Sequence, residues 1–138
     1  MMIFVDTNVF SELTKPHAED KVVTWLFERR LETLLSTLVI AELAIGIRTT
    51  PGPDFRALLN RTLKRIIEQH EGRVIPFDLP AALRWGEMGG RVIVEGGRSG
   101  AIDSMLAAQA LVLGVPVATR NRRDFEDTGV ELIDPWEV

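Results

Sequence analysis

Short apolar runs alternate with segments of helical length along this chain of 138 residues. This alternation limits the fold more than any other feature. Strands separated by helices of about a dozen residues are joined by right-handed crossovers, which give a mainly parallel sheet with helices on both faces. The expected class is therefore α/β. A chain of this length suits one domain over 1–138 with a substantial core.

The spacing predicts strands at 2–5, 31–36, 74–77, 115–119 and 130–133. Helices are expected from His17 to about Arg29, with Val22, Val23, Trp25 and Leu26 inward, and from a Thr37 cap to about Arg48. Asp54 to Gln69 carries Phe55, Leu58, Leu59, Leu63, Ile66 and Ile67 at helical spacing. Pro80 suits the first turn of a helix reaching towards Val94. Gly96–Gly100 reads as a loop, Ser99 as the cap of a helix over 101–113, and Gly114 as its stop.

Four acids stand out against this pattern. Asp6 follows the run Met1–Val5, and Glu42 lies between apolar neighbours in a helix. Asp103 opens an apolar helix, and Asp124 follows the run 115–119. Each has an ordinary explanation. Asp6 suits a turn or cap, Glu42 an exposed helix position, Asp103 the positive end of a helix dipole, and Asp124 an ion pair. Together they suggest more. Strand ends border the crevice of a parallel sheet. Carboxylates gathered there repel one another unless a cation neutralises them. Oxygen ligands favour Mg²⁺ or Mn²⁺ over zinc, and such a site suits phosphodiester hydrolysis.

Composition removes other chemistries. Without cysteine there is no disulfide, thiolate zinc site or cysteine nucleophile. His17 and His70 read as surface residues. The first strand runs into Asp-Thr-Asn, not a glycine-rich phosphate loop, and no serine sits in Gly-x-Ser-x-Gly. Trp25, Trp85 and Trp136 read as core or interface anchors. No apolar run approaches the ~20 residues of a membrane span. Residues 1–5 are too short for a signal peptide, so a cytoplasmic location is expected. The net charge of −4 argues against non-specific nucleic-acid binding, yet thirteen of the sixteen basic residues are arginine. Three of these, Arg120, Arg122 and Arg123, surround Asp124, and arginine matches phosphate in a bidentate way.

Four segments in order carry a family likeness: Phe4-Val5-Asp6-Thr7-Asn8-Val9, Ala41-Glu42-Leu43-Ala44-Ile45-Gly46, Asp103-Ser104-Met105-Leu106-Ala107-Ala108 and Thr119-Arg120-Asn121-Arg122-Arg123-Asp124-Phe125. With the ending Gly129–Trp136, they resemble PIN-domain ribonucleases, specifically VapC-type, FitB-like toxins of toxin–antitoxin pairs. The resemblance implies a three-layer α/β/α domain and a metal-dependent endoribonuclease. Asp6, Glu42 and Asp103 would hold Mg²⁺ or Mn²⁺, and Asp124 would complete the catalytic pocket. Thr7, Asn8, Thr119 and Asn121 would orient carboxylates and water, and Arg120, Arg122 and Arg123 would hold the RNA backbone. Water activated by the metal would cut the phosphodiester, leaving 5′-phosphate and 3′-hydroxyl ends. The implied partners are RNA, a cognate antitoxin and a second copy of the chain. Residues 22–27 and 38–47 offer a dimer face or simply pack on the sheet. The rival readings are a non-catalytic antitoxin-binding module and a phosphohydrolase with Asp6 as nucleophile. Against the latter, Asp6-Thr7-Asn8 lacks a second aspartate two residues on.

Overall fold

In the computed structural model, which describes residues 1–89 and 100–138, the apolar runs become five parallel strands. They are β1 (Ile3–Val5), β2 (Thr33–Ser36), β3 (Val74–Ile75), β4 (Val117–Ala118) and β5 (Leu132–Ile133). The sheet order is β3-β2-β1-β4-β5. The helices among the described residues are α1 (Thr7–Glu12), α2 (Asp20–Glu28), α3 (Thr37–Thr49), α4 (Pro53–Gln69), α5 (Leu79–Gly89) and α6 (Ala101–Leu113).

From β1 the chain steps outward through β2 to β3, then returns past β1 to β4 and β5. Crossovers of one hand running in opposite directions place α1–α4 on one face and α5–α6 on the other. This is the three-layer α/β/α arrangement. The strand order reverses between β1 and β4, which opens a crevice beyond their carboxyl ends. Both faces of the central strands are covered, so Ile3, Phe4, Val5, Val117 and Ala118 are all buried. Hence these strands read as continuous apolar runs with no alternation.

The register is fixed by backbone pairing. Phe4 N–H donates to Pro116 O at 3.0 Å, and Asp6 N–H donates to Ala118 O at 2.9 Å. The strands are shorter than the apolar runs because the ladder ends before the runs do. Gly114 takes φ 68° at the end of α6, a left-handed conformation that suits glycine.

Several local expectations change. The six-residue helix α1 was not anticipated, because Thr7-Asn8 reads as turn chemistry. Its cap is the Asp6 carboxylate, which accepts from Thr7 N–H. Helix α2 starts at Asp20, not His17, because residues 13–19 bridge two helices and Glu12 holds the Glu19 N–H at 2.8 Å. The cap of α3 is Ser36, with Thr37 its first residue. Thr37 Oγ1 instead accepts from Phe77 N–H at 3.2 Å. His70 is buried, with Nε2 2.8 Å from Thr33 Oγ1 and Nδ1 2.7 Å from Ile66 O. Its ring caps α4 against the sheet and is no surface residue. The extension of α5 to Val94, the Ser99 cap and most of the Gly96–Gly100 loop lie outside the described residues.

Candidate metal centre

Asp6 is carried to the crevice by β1 and turned into it by the start of α1. Only 3% of its surface is exposed. Its Oδ1 accepts from Thr7 N–H at 2.8 Å, and Oδ2 accepts from Asn8 Nδ2 at 2.9 Å and Thr119 Oγ1 at 2.8 Å. Thus its cap role and its place in the acidic cluster coexist. Burial still pushes the carboxyl above its ordinary range. The hydrogen bonds from Thr119, Thr7 and Asn8 oppose that shift, while nearby Glu42 adds to it.

Thr119 follows β4, directly across the sheet reversal from Asp6. Asn8 ties the two together: its Nδ2 also lies 3.1 Å from Thr119 Oγ1, and its Oδ1 accepts from Arg120 N–H at 3.0 Å. Asn121 contributes its backbone N–H, which donates to Thr119 Oγ1 at 3.1 Å. A chain of polar contacts therefore locks the 119–121 turn onto the start of α1. Thr7 makes the next link, donating its hydroxyl to Glu42 Oε1 at 2.6 Å.

Glu42 projects from α3 and Asp103 from the first turn of α6, both half-buried. One carboxylate oxygen from each of Asp6, Glu42 and Asp103 lies within 4.8 Å of the others. The Asp103 carboxyl is pushed up to about 7, first by burial and then by repulsion from Asp6, Glu42 and Asp124. Asp124, in the 3₁₀ turn Arg122–Asp124, therefore stands near the cluster. Three converging oxygen ligands whose mutual repulsion a cation would relieve fit a hard divalent ion. They do not fit a thiolate or imidazole metal site.

The arginines are placed differently from one another. All three are exposed. The Arg120 guanidinium lies over the Trp136 ring, 4.9 Å from its centroid, while Arg122 and Arg123 belong to the 3₁₀ turn beside Asp124. Trp136 is thus a support for Arg120, a role that its sequence position did not reveal. Ser104, next to Asp103, is fully buried and accepts from Trp85 Nε1 at 2.8 Å, fixing the first turn of α6. The buried Glu12 also escaped notice. It pairs with Lys15 Nζ at 2.9 Å and holds the start of α2.

Comparison with known proteins yields a consistent set of relatives. The PIN domain model matches residues 3–131. VapC ribonuclease Y4jK of Sinorhizobium fredii is 37% identical, with 99% of each chain covered. Toxin FitB of Neisseria gonorrhoeae is 33% identical, over 98% of this chain and 99% of FitB. The crystal structure of FitAcB from Neisseria gonorrhoeae superposes with a TM-score of 0.89 at 31% identity, covering 99% of this chain and 100% of the other.

Proposed function

The chain belongs to the PIN-domain family, and from that membership we propose that it is a Mg²⁺- or Mn²⁺-dependent endoribonuclease, the toxin of a toxin–antitoxin pair. The observation that carries this reading is the meeting of Asp6, Glu42 and Asp103 from three distant segments at the sheet reversal. Near-full-length similarity to a VapC ribonuclease and to Toxin FitB supports the same activity and role.

Asp6, Glu42 and Asp103 would hold the cation, with Asp124 completing the acidic pocket. Bound there, Mg²⁺ or Mn²⁺ supplies the charge that admits a phosphodiester and acidifies water for hydrolysis. The chain's own task is orientation. Asn8 and Thr119 fix one Asp6 oxygen, and Thr7 fixes one Glu42 oxygen, so the remaining lone pairs point in set directions. Arg122 and Arg123, in the turn beside Asp124, would bind phosphates flanking the cut, and Arg120 would join them from its seat on Trp136. The partners in this reading are RNA, a cognate antitoxin and a second copy of the chain. Exposed Phe27 on α2 and Ile45 on α3 remain available for protein contacts, whereas Val22, Trp25, Leu38 and Val39 pack inward.

The nucleophile alternative fits the geometry less well. Asp6 is almost fully buried and already accepts three hydrogen bonds. Asp6→Asn should lower cleavage by at least about 100-fold while leaving antitoxin binding intact. The check is to map RNA ends made by purified wild type and variant, with and without chelator. Expected products carry 5′-phosphates and require the divalent ion. Wild-type rates from Asp6→Asn would refute the metal assignment. No cleavage by metal-loaded wild type, with partner binding intact, would favour the binding module.

A further inference from the structure

A cleft of about 300 Å³ opens between α1 and the α3–α4 pair. Thr7 and Glu42 line it, so it is continuous with the carboxylate cluster. The other walls are mostly apolar and include Leu43, Leu59, Leu63 and Phe55. Among the described residues, no lysine or arginine lines it. Of the six members of the apolar stripe of α4 only Ile66 is buried, and Phe55 is 46% exposed. Four of the six members of this amphipathic face, Phe55, Leu59, Leu63 and Ile66, therefore border a cavity beside the site.

Three of the threonine hydroxyls in this cleft, those of Thr14, Thr50 and Thr62, point back to helical carbonyls. Thr14 Oγ1 donates to Ser11 O at 2.8 Å, Thr50 Oγ1 to Gly46 O at 2.7 Å, and Thr62 Oγ1 to Leu58 O at 3.0 Å. Their protons are used within the helical backbone. What they offer a ligand is acceptor lone pairs.

We propose that this cleft is a subsite for one nucleobase of the RNA strand, stacked on Phe55 beside the cut phosphodiester. The proposal rests on the ribonuclease reading and adds a determinant of sequence preference to it. Continuity selects the occupant: a strand with its phosphate at Asp6, Glu42 and Asp103 must place a neighbouring nucleotide close to Glu42. The chemistry of the walls agrees. A neutral planar ring suits an aromatic wall without cations, and stacking is the usual way a single-stranded base is held. Acceptor hydroxyls match the exocyclic amino groups of adenine, cytosine or guanine better than uracil, which has none.

The test uses full-length protein with Mg²⁺ and a set of RNA oligonucleotides around one mapped cleavage site. Each nucleotide flanking the cut is changed in turn to the four bases and to an abasic sugar. At one flanking position, the abasic change should raise KM roughly ten-fold, and uracil should be the poorest base. Phe55→Ala should remove that sensitivity, Phe55→Trp should keep it, and Phe55→Leu should behave like alanine. Because Phe55 is exposed, these variants should fold, which circular dichroism checks. Binding of oligonucleotides carrying 2-aminopurine at that position to cleavage-dead Asp6→Asn protein gives a second readout: quenching that Phe55→Ala abolishes. A wild type that cuts no RNA would remove both the ribonuclease reading and the subsite. Cleavage abolished by Asp6→Asn but indifferent to Phe55→Ala and to every abasic change would remove the subsite alone. Unaltered RNA data with weakened antitoxin binding by Phe55→Ala would assign the cleft to a peptide side chain and overturn the proposal.

Discussion

At the scale of single residues, Asp103 reports on the whole acidic cluster. Burial and its acidic neighbours push its carboxyl up to about 7 in the folded chain, against an ordinary value of 3.8. Between those limits the folded state holds a proton that the unfolded state has released. The contribution of this group to stability therefore falls as pH rises from about 4 to 7, then levels off. Glu12 acts in the opposite sense. The Glu19 N–H and Lys15 hold its carboxyl below the ordinary range, so its contribution is present above that range and lost in acid. In chelator, the protein should accordingly lose thermal stability from about pH 5 to about pH 7, and Asp103→Asn should flatten that slope. A thermal melt series across pH checks this; an unchanged slope in the variant would remove Asp103 as its source. The acids themselves were legible in sequence, because charged residues interrupting apolar runs need an explanation. Trp136 and Glu12 were not, because their roles depend on Arg120 lying over the Trp136 ring and on residues 13–19 turning the Glu19 N–H back to Glu12.

At the scale of elements, two helix starts set the site. Asp6 caps α1 at the end of β1, and Ser36 caps α3 at the end of β2. The second cap does two jobs. Ser36 Oγ accepts from Leu38 N–H at 3.1 Å and donates to Gln109 Oε1, while Gln109 Nε2 reaches Pro76 O at 3.0 Å. A fully buried serine thus joins β2, α6 and the end of β3. Ser36→Ala removes the cap and leaves a buried amide oxygen unpaired, a loss of about 2–3 kcal/mol. Urea unfolding should show a lower midpoint with unchanged slope, and Ser36→Thr should recover part of it. The amphipathic period made α4 legible, but not how little of its stripe would be covered. Likewise α1 was hidden, since a six-residue helix relies more on its cap and packing than on periodicity.

At the scale of the whole molecule, the carboxylates join β1, α3 and α6, so cation binding should reinforce the global fold. A ligand bound only by the folded state, at 100 times its dissociation constant, adds about 2.7 kcal/mol. Mg²⁺ or Mn²⁺ should therefore raise the melting temperature in a saturable way, chelator should reverse the rise, and Asp6→Asn should largely remove it. Calorimetry with titrated ion checks this, and identical shifts in wild type and Asp6→Asn would argue against a shared site. Among the described residues, no helix is long and apolar enough to cross a membrane.

By itself, the sequence determined the alternation of strands and helices, the parallel sheet, and the four acids with their polar neighbours. These are local or periodic properties, set by backbone pairing and by the cost of burying charge. Only the tertiary structure decided that Asp6, Glu42 and Asp103 meet within 4.8 Å while Asp124 stands beside them. Only it decided that His70 is buried, and that four of the six α4 stripe residues border a cleft next to Glu42. The reason is distance along the chain. Thr7 and Glu42 are 35 residues apart, and Asp6 and Thr119 are 113 apart. Their contacts exist because β1 pairs with β2 on one side and with β4 on the other, which no local pattern records.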